Sequence, residues 1–302
     1  MIINITILRG LFCLLIVMSH CGILEIDGGA LSVSFFFILS GFLTEMKYKN
    51  HEYALHKRLK KIYSPVLFLS LTISLFIYIY INKINNYKSV LIVLSNYFLI
   101  GNWFDFQIIN SVTWFLCDLV FFYVFYPIIK KYDKKNNPLL RVCLIIAIKF
   151  FIETNFSYLS NYYFLTYKMP LYRLFDFYIG ILLFNIKKAT KVNIINKYIS
   201  TFLVIVYMII NDIFTYTYIQ AILSCYIIYS FSNNDVVNTN RCPVLSLFLY
   251  LGKNSFNIYL LHWPILELLR LLKINTNNIL ILILIISISI FIPILLFKEQ
   301  NK

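Results

Sequence analysis

Arg9 and His20 carry a guanidinium and an imidazole that could act on the same substrate. They lie eleven residues apart in the apolar stretch LRGLFCLLIVMSH, which runs from Leu8 to His20. If this stretch is helical, eleven residues advance it by about 1100°, so both side chains lie on one face, roughly 16 Å apart along the axis. A guanidinium binds anionic oxygens, and an imidazole can take up and return a proton near neutral pH. The alternative is that Arg9 reaches the lipid headgroups and His20 simply ends a helix.

The elements that must position these residues are membrane-spanning helices. The chain has 302 residues, of which 60% are hydrophobic and 13% are charged, whereas an average soluble domain has about 25% charged residues. The sequence therefore predicts an all-α polytopic membrane protein with a single domain, residues 1–302, and no appended soluble domain. With about 20 apolar residues per crossing, ten spans are predicted near 4–22, 30–46, 63–82, 111–130, 138–153, 170–186, 194–211, 213–232, 254–272 and 278–297.

Charge predicts how these spans are oriented. The apolar segment Ser89–Gly101 has 13 residues, which is short for a crossing, so we interpret it as a re-entrant or interfacial half-helix. The basic segments Lys47–Lys61, Lys130–Arg141 and Lys187–Lys197 then lie on one side, which the positive-inside rule makes cytoplasmic, together with both termini.

The same charge pattern excludes other classes of partner. The net charge of +14 is explained by membrane topology, so no nucleic-acid partner is expected. The six cysteines form no CxxC pair and the four histidines are scattered, so no metal site is predicted. Membrane lipids are the partner that this composition does imply.

Five stretches, in order along nearly the whole chain, carry a family resemblance. LRGLFCLLIVMSH followed by SFFFILSGFL resembles the opening of membrane acyltransferase family 3, in which an Arg-x(10)-His helix precedes an FFxLSGF-like helix. Further segments similar to that family are HKRLKKIYSP (His56 to Pro65), TWFLCDLVFFYVFYPII (Thr113 to Ile129), YRLFDFYIGILL (Tyr172 to Leu183) and LGKNSFNIYLLHWPIL (Leu251 to Leu266). Asp118 occupies a position at which many members of the family have Glu. Because the Asp side chain is shorter, the role of the family's Glu carries over to Asp118 less directly.

The resemblance implies transfer of an acyl group, most often acetyl from acetyl-CoA, to a hydroxyl of a surface polysaccharide or lipid-linked glycan. It implies His20 as acid/base and Arg9 as a catalytic partner. The location implied is the bacterial cytoplasmic membrane, with polysaccharide-assembly proteins as further partners. Whether the acyl group is carried covalently by His20, the acceptor sugar and the oligomeric state stay open.

Binding residues can be nominated on the same basis, each with a structural alternative. For acyl-CoA they are Arg58, Lys57 and Lys61, although these cations could instead serve only to set the membrane topology. The Ser40-Gly41 pair is also nominated, and its alternative is a helix-packing face. For the acceptor they are Trp114, Asp118, Arg173, Tyr259 and His262. Arg173 could instead form a structural ion pair with Asp176, and His262 could satisfy carbonyls freed by Pro264.

Two other functions fit an integral membrane protein with buried polar residues. One is a glycan or lipid transporter, in which those residues line a path, although no inverted pair of broken spans stands out. The other is a transmembrane relay that passes acetyl groups to a partner, which then modifies the glycan.

Overall fold

The computed structural model describes residues 3–23, 28–82, 87–104, 108–133, 137–189, 216–232 and 242–297. In this part of the chain the regular secondary structure is all helical, without a strand. The described α-helices are α1 (Ile3–His20), α2 (Gly28–Tyr48), α3 (Leu55–Ile62), α4 (Pro65–Asn82), α5 (Tyr87–Tyr97), α6 (Trp114–Tyr132), α7 (Pro138–Asn155), α8 (Pro170–Ala189), α9 (Thr217–Phe231), α10 (Pro243–Leu271) and α11 (Ile279–Leu296).

Six helical stretches among the described residues are long and apolar enough to cross a membrane, and α9 is a shorter apolar helix. Together with the apolar composition they make this an integral membrane protein. Nine of the ten predicted spans overlap described helices, whereas the predicted span 194–211 lies outside the described residues. The number of ten crossings therefore stays a prediction.

Two element boundaries differ from those predicted. Helix α10 begins at Pro243, well before the predicted 254, because Pro at the first helical position starts a helix readily and the following residues are apolar. The basic segment before Pro65 forms the separate helix α3, since Pro65 begins α4 and cannot continue a preceding helix.

The ambiguous segment after α4 folds as a short helix. Helix α5 has 11 residues, so it reaches about 17 Å, less than the roughly 30 Å of a hydrocarbon core. It ends at Tyr97, and Leu99, two residues later, has a positive φ of 54°. This length agrees with the predicted half-helix.

Glycines bring two pairs of helices into backbone contact. A Cβ atom at Gly252 of α10 would lie 1.8 Å from the Thr6 carbonyl oxygen of α1, and one at Gly10 would lie 2.2 Å from the Phe248 carbonyl oxygen. Gly41 of α2 and Gly180 of α8 cross in the same way, as each Cβ would lie 1.9 Å from a carbonyl oxygen of the other helix. Small residues at such crossings are the usual device for close helix packing in membranes.

At one end of the helix bundle, lysine side chains form hydrogen bonds that connect the ends of neighbouring helices. Lys49, just after α2, donates to the side chain of Asn185 in α8. Lys130 near the end of α6 donates to the Tyr48 carbonyl, and Lys187 near the end of α8 donates to Ser232 Oγ at 2.5 Å. The predicted gathering of the basic segments is thus seen for these three lysines, while the assignment of this end to the cytoplasm stays a prediction.

Candidate active site

A cavity of about 160 Å³ lies between α1, α2, α3, α6 and α10. Its polar lining residues include Arg9, Ser40, Arg58, Lys61, Tyr123 and Ser255, and the rest of its wall is mostly apolar. None of the described residues of this lining is acidic, so among them three cations line the space without a carboxylate. A cavity with this lining suits an anionic group joined to an apolar one.

Arg9 is fixed by the crossing of α1 with α10. Its Nη2 donates to Ser255 Oγ at 2.9 Å, and the Ser255 hydroxyl in turn donates to the Gly252 carbonyl at 2.9 Å. Because Gly252 lets the two backbones touch, the guanidinium reaches Ser255 while still lining the cavity. Arg9 therefore lines the cavity instead of extending away from it.

Arg58 makes cation–π contacts with two aromatic rings. Its guanidinium carbon lies 5.1 Å from the centroid of the Tyr48 ring and 5.2 Å from that of Tyr123. Ser40 Oγ and Tyr123 Oη are hydrogen-bonded at 2.8 Å, which fixes the second ring. The Arg58 Nε atom is buried and has no hydrogen-bond partner among the described residues. The two aromatic contacts restrict where the guanidinium lies before any ligand arrives.

The lining residues give the cavity a direction. On α1 the lining runs from Arg9 through Cys13 to Ile16, away from the basic end. His20 itself does not belong to the lining, but it follows Ile16 by one helical turn, a rise of roughly 6 Å. His20 thus lies just beyond the apolar end of the cavity.

His20 is joined to His262 at that end. His20 Nδ1 and His262 Nε2 are 2.9 Å apart, and His262 Nδ1 is 3.0 Å from the carbonyl oxygen of Ile258. His262 is fully buried, whereas His20 is half-buried. The ring of Tyr259, which lines the cavity, has its centroid 6.0 Å from that of His262.

Comparison with known proteins decides the family. A family model described as an acyltransferase domain, that of acyltransferase family 3, matches residues 2–298. The chain is a member of acyltransferase family 3. No curated protein and no solved structure matches the chain. The resemblance drawn from the five sequence stretches is therefore confirmed, and the protein is a membrane acyltransferase.

In this family member, the structure brings together one group of the nominated residues. Arg9, Ser40, Arg58, Lys61 and Tyr259 line the same cavity, and the His20–His262 pair lies at its end. An acyltransferase has to hold an activated donor next to a proton acceptor, which makes this cavity the candidate active site.

Other nominated residues lie outside the cavity. Lys57 is exposed on α3 and does not line the cavity, and Gly41 lies in the crossing with α8. Trp114 is buried, and its ring centroid lies 5.3 Å from that of Tyr167. Asp118 accepts a hydrogen bond from Asn102 Nδ2 at 2.8 Å, and its Oδ2 has no partner among the described residues.

Arg173 forms the predicted pair with Asp176, but within a larger network. Arg173 Nη1 lies 2.7 Å from Asp176 Oδ2, and Lys149 of α7 contacts Asp176 Oδ1. All three side chains are fully buried. Lys149 was not predicted from the sequence, because its partner Asp176 is on a different helix and no local spacing indicates the contact.

The candidate site also contains residues that were not predicted from the sequence. Ser255 and Tyr123 were not nominated, and the contact of His262 with His20 was not foreseen. A signal was present for the first, because Ser255, Tyr259 and His262 are spaced i, i+4 and i+7 and so share a face of a helix. No comparable signal marks Tyr123 among the many aromatic residues of α6.

Proposed function

We propose that this acyltransferase transfers acetyl from acetyl-CoA to a hydroxyl group of a surface polysaccharide or a lipid-linked glycan. The observation that carries the proposal is the cavity with three cations at one end and the His20–His262 pair just beyond the other. The protein would work in a bacterial cytoplasmic membrane, with its basic end in the cytoplasm.

The basic end of the cavity fits the nucleotide half of the donor. CoA carries phosphates, and Arg58 and Lys61 line the cavity where it meets α3. The Arg58 Nε is buried and has no hydrogen-bond partner in the described part of the chain, and a phosphate oxygen is a suitable acceptor for it. Arg9 lies further along the wall, where its guanidinium can contact the pantetheine arm or the thioester carbonyl oxygen.

The far end of the cavity fits the reaction. Apolar side chains such as Phe36, Phe115 and Leu116 line the passage towards Tyr259, which suits an uncharged thioester arm. His20 then acts as general base towards the acceptor hydroxyl and returns the proton to the departing thiolate. His20 is half-buried at the end of α1, and in this proposal the acceptor approaches it from the side opposite the donor.

Labelled acetyl transfer in proteoliposomes tests this function. The purified protein is given acetyl-CoA carrying ¹⁴C in the acetyl group, together with the surface glycan extracted from cells that lack the gene. We expect CoA release and label in the glycan, with the rate reduced about 10²–10⁴-fold in His20→Ala, the range a general base contributes. His51→Ala is the control, since His51 is exposed and does not line the cavity.

The other outcomes identify the alternatives. Acetyl-CoA hydrolysis without label in the glycan would point to a relay that needs a partner protein. Movement of glycan across the bilayer without any acetyl donor would favour a transporter. Full transfer by correctly inserted His20→Ala would show that the mechanism is wrong.

A further inference from the structure

The hydrogen bonds of the histidine pair determine where its protons are. The Ile258 carbonyl oxygen can only accept, so the 3.0 Å contact requires a hydrogen on His262 Nδ1. A neutral imidazole has one N–H, so His262 Nε2 carries a lone pair and accepts from His20 Nδ1 across 2.9 Å. His20 then has its own hydrogen on Nδ1, and its Nε2 is left with a free lone pair.

The relative orientation of the rings agrees with this chain of bonds. The two ring planes lie within 8° of each other, and the ring centroids are 5.2 Å apart. Rings that are parallel, with facing nitrogens 2.9 Å apart and centroids much further apart, meet edge to edge. The N–H of one ring then points along the lone pair of the other, which is the preferred geometry of a hydrogen bond.

His262 does not bond to the backbone carbonyl that Pro264 frees, which was the structural alternative for this residue. Proline at position 264 removes the hydrogen bond to the carbonyl of residue 260. The Leu260 carbonyl accepts from Asn110 Nδ2 at 3.2 Å, so it has a partner already. His262 bonds instead to Ile258, whose carbonyl proline does not free.

The end of α1 is anchored as well, which keeps His20 in register with His262. Arg270 Nη2 donates to the backbone carbonyl of His20 at 2.8 Å, one of the carbonyls that a helix end leaves without an intrahelical partner. The Trp263 ring packs edge-on against the His20 ring, with centroids 5.1 Å apart. These contacts come from the same helix, α10, that carries His262.

We propose that His262 is a positioning residue that holds His20 in the Nδ1–H form, so that His20 Nε2 is the proton acceptor of the reaction. This inference rests on the proposed function for its chemical consequence. The acceptor oxygen attacks the thioester carbonyl carbon and forms the new C–O bond, while its proton passes to His20 Nε2. The C–S bond breaks, and the CoA thiolate takes that proton from Nε2, which restores the starting state.

An imidazole suits this position better than a carboxylate. In hydrolases with a Ser-His-Asp triad, an aspartate orients the histidine, but a carboxylate at membrane depth would add a buried charge at a high cost. His262 orients the His20 ring while remaining neutral, because the Ile258 carbonyl fixes the tautomer of His262. When His20 becomes protonated, its hydrogen bond to His262 becomes charge-assisted and stronger, which favours the intermediate.

Nitrogen NMR of the protein labelled with ¹⁵N-histidine in nanodiscs tests the inference directly. The chain has four histidines, and His51→Ala and His56→Ala remove the two exposed ones for assignment. We expect both His20 and His262 to show a protonated Nδ1 and an unprotonated Nε2. In His262→Leu, which has no acceptor, we expect His20 to shift towards the Nε2–H form that imidazole prefers in water.

Acetyl transfer by two His262 variants provides the second readout. His262→Leu should lower the rate about 10²-fold, at the low end of a general base's contribution, while acetyl-CoA binding is retained. His262→Gln keeps an acceptor oxygen near the Nε2 position and should retain both the His20 tautomer and most of the rate.

Each result has one meaning. An Nε2–H tautomer of His20 in the unaltered protein, or an unchanged tautomer in His262→Leu, would overturn the inference. The expected tautomers in a protein that transfers no acetyl would overturn the proposed function and leave the positioning role of His262 intact. If His262→Leu fails to fold, His262→Gln still tests the inference, since loss of the Nδ1–H signal there would contradict it.

Discussion

At the scale of single residues, the orientation of Arg9 depends on Ser255. Their 2.9 Å bond is a hydrogen bond to a charged group, and such bonds contribute about 1.5–3 kcal/mol. Ser255→Ala leaves the guanidinium without this acceptor, and we expect kcat/KM for acetyl-CoA to fall at least about tenfold. The neighbouring Asn254→Ala is the control, because the Asn254 side chain donates to the Tyr250 carbonyl of its own helix and does not line the cavity. Equal rates for the two variants would contradict the role of Ser255.

The basic residues of α3 should separate into two groups by their effect on donor affinity. Lys61 lines the cavity and Lys57 does not, although both side chains are cationic and close in sequence. We expect Lys61→Gln to raise KM for acetyl-CoA several-fold more than Lys57→Gln, with kcat little changed, because the phosphates are remote from the reacting atoms.

Arg58→Lys extends this test to the shape of the cation. An ammonium keeps the charge but loses the planar fork that lies over the Tyr48 and Tyr123 rings. We therefore expect KM for acetyl-CoA to rise about tenfold, equivalent to roughly 1.4 kcal/mol. Steady-state rates at varied acetyl-CoA check this, and an unchanged KM would show that donor binding does not need the planar guanidinium at position 58.

At the scale of helices, the site depends on the glycine crossing of α1 with α10. A Cβ at Gly252 would lie 1.8 Å from a backbone oxygen, so Gly252→Ala must push the helices apart. Overpacking of this kind costs about 1–3 kcal/mol or more, and the apparent Tm in detergent should fall. Gly29→Ala is the matched control, because its Cβ would meet only Ser19 Oγ at 3.6 Å. A Tm for Gly252→Ala equal to that of Gly29→Ala would contradict the crossing.

The helices were largely predictable from sequence, because apolar runs of about 20 residues specify spans without reference to the fold. The helix face shared by Arg9 and His20 was predictable for the same reason, since it depends only on the helical repeat. The pairing of His20 with His262 was not, because the two residues are 242 positions apart and only packing brings them together. The start of α10 was missed because hydropathy does not distinguish a long helix from a shorter one with an interfacial extension.

At the scale of the whole molecule, a buried network joins α7 to α8. Asp176 is the shared carboxylate of Lys149 and Arg173, so Asp176→Asn leaves two buried cations together. Lys149→Met leaves a balanced pair. Breaking a buried pair by removing one partner costs about 3–5 kcal/mol, and we expect Asp176→Asn to lower the Tm clearly more than Lys149→Met. The reverse order would show that the network is not organised around Asp176.

The proposed function requires acetyl-CoA to bind in the cavity that Arg9, Arg58 and Lys61 line. The most direct test is a structure of the protein in nanodiscs, determined by electron cryomicroscopy with acetyl-CoA bound. We predict that the CoA phosphates contact Arg58 and Lys61, and that the thioester lies beyond Arg9 near Tyr259 and His20. Acetyl-CoA bound elsewhere, or this cavity filled by lipid while the donor is bound, would contradict the account.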